Sequence, residues 1–62
     1  MMSRQNYEAI ASVIKDAVRR TDDGDMDKLI PLYQLAHSLT VIFKEDNPRF
    51  DRARFLEACD IR

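Results

Sequence analysis

Asn47-Pro48-Arg49-Phe50-Asp51-Arg52-Ala53-Arg54-Phe55-Leu56-Glu57-Ala58-Cys59 is the stretch that decides the fold. Asn47-Pro48 stops whatever helix precedes it. Proline disfavours helical backbone at the residue before it and has no N–H to donate. Asp51 then stands as an N-cap, where its carboxylate accepts from the open N–H groups of the next turn and suits the positive helix end. Phe50 and Phe55 take the N′ and N4 positions around that cap, the spacing at which two apolar side chains clasp as a hydrophobic staple. Arg54 at N3 is neither Glu nor Gln, so no capping box is expected. Phe55, Leu56 and Cys59 recur at helical spacing on one side, with Arg52, Arg54 and Glu57 outside it. The stretch predicts a short C-terminal helix docked through its rings.

Working outward, the whole chain has 62 residues, which makes a single domain over 1–62. A chain this short buries only about 60% of its unfolded surface, so its own core is marginal. It is 45% hydrophobic and 34% charged, a globular rather than disordered balance. One Gly and two Pro leave little room for long loops. The net charge of −1 gives no electrostatic footprint for nucleic acid or an anionic membrane. A single cysteine allows no internal disulfide, which points to a reducing, cytoplasmic compartment. There is no long apolar run, so neither a signal peptide nor a membrane span is expected.

Ser3 is placed to cap a first helix. After it Tyr7, Ile10, Ala11, Ile14, Ala17 and Val18 share one face, an arc of about 120°. Arg4, Glu8, Ser12, Lys15, Asp16 and Arg19 fill the other side. Arg19 and Arg20 suit the negative end of the helix dipole, and the helix should end near Arg20 or Thr21. Thr21 to Asp27 carries the turn signals, with Gly24 expected to supply positive φ. Its four aspartates are out of register for a calcium loop, which needs alternating oxygen ligands, then Gly, then a Glu at the last position.

A middle helix should start at about Asp25 as its cap, be distorted at Pro31, and run to about Glu45. A start at Pro31 itself is the competing reading. Leu29, Leu32, Tyr33, Leu35, Ala36, Leu39, Thr40, Ile42 and Phe43 cover an arc of about 180°, wider than one contact face requires. Such a helix packs on two partners, the first helix and the tail. Short connections make sequential helices antiparallel neighbours. The fold class is therefore all-α: a small three-helix bundle of two longer helices and a short C-terminal one.

No set of residues specifies a chemistry. His37 is the only histidine, and the patterns set it on a different face from Cys59. One Cys and one His cannot make a zinc site, and no glycine-rich phosphate loop is present. No catalytic residue, cofactor or metal is expected. Three helices also allow a helix-turn-helix-like arrangement, a small DNA-binding regulator with Arg49, Arg52 and Arg54 as contacts. Asp51, Glu57 and Asp60 lie among or after them, and a net −1 chain offers phosphates little. The outer face of the middle helix carries Gln34, His37 and Val41. With the three tail arginines, these are the candidate interaction residues.

The pattern N-P-x-F-D-R-x-R-F-L-x-A-C near the end of a very short chain resembles the C-terminal signature of a family of small, uncharacterised helical proteins encoded by bacteriophages and prophages, chiefly of actinobacteria. The matching residues are Asn47, Pro48, Phe50, Asp51, Arg52, Arg54, Phe55, Leu56, Ala58 and Cys59. Tyr7-Glu8-Ala9-Ile10-Ala11 is similar to the openings of such proteins. They often follow the signature with a glycine, where this chain has Asp60 and Ile61. The resemblance implies origin rather than activity: a phage accessory protein in the host cytoplasm. The expectation is a non-enzymatic protein–protein interaction module, binding a host or phage protein or forming a homo-oligomer.

Overall fold

A computed structural model describes residues 2–61. Three α-helices pack together: α1 (Arg4–Arg20), α2 (Met26–Asp46) and α3 (Arg52–Ala58). The fold is the all-α, three-helix arrangement expected from the sequence, with α3 the short member.

Ser3 caps α1, its Oγ accepting from the Asn6 N–H at 3.3 Å. Asn6 Oδ1 accepts in return from the Ser3 N–H at 3.1 Å, so two open donors are satisfied reciprocally. Asparagine does here what Glu or Gln usually does at this position. Tyr7, Ala11, Ile14 and Val18 form the buried stripe of α1, with Ile10 packed at its edge.

The turn into α2 departs from expectation in two respects. Gly24 does not take positive φ. The chain reverses through Asp22, whose Oδ1 accepts from the Gly24 N–H at 3.1 Å and whose carbonyl accepts from the Asp25 N–H at 2.8 Å. Asp25 does occupy the N-cap of α2, but its side chain makes no capping hydrogen bond. Its carboxylate lies 3.6 Å from Lys28 Nζ instead. α2 then runs as continuous helix through Pro31. Proline removes the one N–H that would have reached the Asp27 carbonyl.

The buried stripe of α2 is Leu29, Ala36, Thr40 and Phe43, flanked by the partly buried Leu32, Tyr33 and Leu39. The fully buried Thr40 hydroxyl donates to the His37 carbonyl at 2.6 Å, so no polar cost is left in the core. Leu35 and Ile42, expected within the buried arc, stand 51% and 57% exposed. The cause is placement. At 100° per residue, Leu35 and Ile42 stand about 110–130° round α2 from the centre of its buried stripe, on the side away from Lys44 and the tail. The two partner helices cover only the other side.

Asn47 to Phe50 is a β-turn, with the Phe50 N–H donating to the Asn47 carbonyl at 2.9 Å and proline at its second position. Lys44 Nζ ties the turn to α2 by donating to the carbonyls of Pro48 and Phe50. Asp51 Oδ1 accepts from the Arg54 N–H at 3.1 Å, and the Phe50 and Phe55 rings meet at 5.6 Å. The cap and the staple are both formed. α3 ends in a Schellman motif: the Ile61 N–H reaches the Leu56 carbonyl and the Asp60 N–H reaches that of Glu57. Asp60 has φ 64°, the left-handed conformation that favours glycine.

Two outcomes follow for stability. Phe50 and Phe55 are buried in the core. Replacing either by Ala should cost about 3–5 kcal/mol. A core of this size rarely supplies more than about 3–5 kcal/mol in total. Each variant should therefore lose its cooperative thermal transition in circular dichroism. Asp60→Gly should stabilise by up to about 1 kcal/mol, because the left-handed conformation penalises a side chain. Chemical denaturation checks the sign, and a less stable glycine variant would contradict the cap.

Candidate functional site

At 100° per residue, the burial pattern defines which side of each helix faces which neighbour. The groove between α1 and α3 has a volume of about 410 Å³, and its α1 side is built by Arg4, Tyr7, Glu8 and Ala11. Across it stand Arg49, Phe50, Asp51, Arg54 and Phe55. On α2, Lys44 marks the side turned toward the tail. Both observations put the tail and α3 on one face of the antiparallel α1–α2 pair.

Gln34, His37 and Val41 are exposed and share one stripe of α2 with Met26 and Ile30, next to the Lys44 side. Arg49, Arg52 and Arg54 are exposed as well. The structure brings Arg49 and Arg54 into the α1–α3 groove, together with Arg4, and leaves Arg52 out of it. The groove is mixed in charge. Glu8 Oε1 pairs with Arg4 Nε at 3.2 Å, and Asp51 caps α3 within it. Five of the six expected residues thus lie on two separate surfaces, a partly apolar α2 stripe and a groove edge, and Arg52 stands outside the groove.

A third surface was not singled out from the sequence. On the face of the α1–α2 pair opposite α3, Leu32, Leu35, Leu39 and Ile42 run along α2. Ile10, Val13 and Ala17 run beside them on α1. Leu32, Leu39 and Ile10 are partly buried against the core, whereas Val13 is 71% exposed. Tyr7 against Phe43 sets the register of the two helices, which brings Val13 alongside the Leu32–Leu39 span. The available signal was the excess width of the apolar arc of α2. Assigning that excess to a second internal partner hid it.

The titratable groups shifted from their ordinary values lie in the core and at its rim. Cys59 is wholly buried, and burial pushes its thiol up to about 11. Asp46 Oδ2 accepts from the Met2 N–H at 2.9 Å and from the Tyr7 hydroxyl at 3.3 Å. The Met2 bond is the main cause holding the Asp46 carboxyl below its ordinary value. Burial, then the Asp46 charge, raises the Tyr7 phenol. These groups clamp the start of α1 to the end of α2. His37 lies exposed on the outside of α2, apart from the buried Cys59. Among the described residues no group of three His, Cys, Asp or Glu side chains could hold a metal ion, and no helix is long and apolar enough to cross a membrane. Comparison with protein-family models, with curated proteins and with solved structures finds no match.

The Cys59 thiol provides a measurable consequence. A thiol whose value is raised on folding contributes stability that is full below its ordinary value of 9.0 and is lost as the pH climbs from there through about 11. The melting temperature should fall across that interval in the native chain and fall less in Cys59→Ala. At neutral pH, alkylation of native Cys59 should be slow and become fast on denaturation. Rapid labelling of the folded chain would contradict its burial.

Proposed function

We propose that this chain is a small helical protein–protein interaction module, encoded by a phage or prophage and acting in the host cytoplasm without chemistry of its own. The observation that carries the reading is the uncovered apolar face opposite α3, centred on Val13, Leu35 and Ile42. Large aliphatic side chains grouped on one face mark an interaction surface more often than singly scattered ones do. The resemblance of residues 47–59 to the tails of small phage proteins supports the origin. That signature itself serves folding: Phe50, Asp51 and Phe55 make the staple and cap, which leaves binding to surfaces elsewhere.

The reading as a DNA-binding regulator rests on Arg49, Arg52 and Arg54. The mixed charge of the groove that holds two of them favours the protein-binding reading instead.

Chemical cross-linking of host proteins to the tagged chain tests the proposal. Leu35→Glu/Ile42→Glu should remove the cross-linked species, because both side chains are exposed and their replacement leaves the core intact. Val41→Glu, on the other stripe of α2, should leave those species in place. Identical cross-linking by all three proteins would overturn the assignment of the face. Random duplex DNA at low salt should show no mobility shift, and a clear shift would move the reading to nucleic acid.

A further inference from the structure

The apolar row on α2 has an internal symmetry. Lys28, Leu32, Leu35, Leu39, Ile42 and Asp46 follow one another at alternating steps of four and three residues, the spacing of a coiled-coil seam. The row is palindromic about the level of His37. Leu35 and Leu39 lie two residues either side of that level, Leu32 and Ile42 five, and Lys28 and Asp46 nine. The four central positions are aliphatic, and the two ends carry opposite charges.

We propose that this face binds a second copy of the chain, with the two α2 helices antiparallel about a two-fold axis level with His37. This deepens the interaction reading above and rests on it. In that arrangement Leu35 meets the partner's Leu39, Leu32 meets the partner's Ile42, and Lys28 meets the partner's Asp46. Each contact is made twice, as an isologous interface requires. Parallel pairing would instead oppose Lys28 to Lys28 and Asp46 to Asp46, so the charge order selects the antiparallel sense.

The neighbouring groups are compatible with it. Lys28 Nζ is 76% exposed at the side chain and holds Asp25 only loosely, at 3.6 Å. Asp46 serves the start of α1 by accepting from the Met2 N–H and the Tyr7 hydroxyl, and its side chain is exposed to a partner. On α1, the adjoining Ala9 and Ala17 are small, which lets a second helix approach Val13 closely.

Charge reversal tests the pairing with the full chain. Sedimentation equilibrium should find wild type dimerising with rising concentration. Lys28→Glu alone and Asp46→Lys alone should each weaken the dimer by about tenfold or more, since each change turns two attractive contacts repulsive. An equimolar mixture of the two variants should recover wild-type affinity as a heterodimer, in which every end contact is again attractive. Recovery also shows that neither substitution acted merely by unfolding its chain. Wild type that stays monomeric at every concentration overturns the pairing, as does a mixture no tighter than the single variants. If that monomer still loses cross-linked host proteins on Leu35→Glu/Ile42→Glu, the interaction reading survives without the dimer. If it does not, both fall.

Discussion

Four aromatic rings hold this chain together. Tyr7 from α1, Phe43 from α2, Phe50 from the turn and Phe55 from α3 meet with centroids 4.8 to 5.6 Å apart, all tilted or edge-on. Such pairs add about 0.5–1.5 kcal/mol each beyond the area they bury. Every element contributes a ring, so no element can leave without breaking several contacts. The sequence has five aromatic residues, and only Tyr33 stands outside the cluster. With so few, their concentration at one end makes that end the core. The other end of the α1–α2 pair relies on Ile14, Val18 and Leu29.

The cluster explains why the tail is built as it is. Phe50 must be presented from a turn and Phe55 from the first turn of a helix, at a fixed angle. Asn47-Pro48 sets the turn, Lys44 anchors its carbonyls, and Asp51 starts the helix between the two rings. The strongest local signals therefore belong to the core. A motif rich in arginine looks like a binding site, yet its ordered parts are structural. The guanidinium groups of Arg49 and Arg54 are left at the rim of a groove that already contains two acids, Glu8 and Asp51.

Much of this was legible in the residues because it is local. Caps, staples and turn prolines act over a few positions, so Ser3, Asp51, Phe50 and Phe55 announced their roles. The bounds of α1 and the start of α3 followed, whereas the start of α2 stayed open between Asp25 and Pro31. Gly24 misled because a lone glycine in a turn suggests positive φ, whereas Asp22 bends that turn with ordinary backbone. Asp25 misled because an aspartate at an N-cap position can spend its side chain elsewhere. The wide apolar arc of α2 was legible, but its meaning was not. Width tells how much surface wants cover, and whether that cover comes from the same chain depends on which sides of α2 the other two helices take.

That distinction separates the part of the molecule that folds it from the part left over. The aromatic end uses its apolar residues internally, while Val13, Leu35 and Ile42 keep more than half of their surface exposed. Methyl NMR across a concentration series tests this most directly. The account predicts that the methyl signals of Val13, Leu32, Leu35, Leu39 and Ile42 move as concentration rises, with those of Ile30 and Val41 unchanged. Signals that stay fixed at every position, or that move at Ile30 and Val41 instead, would contradict it.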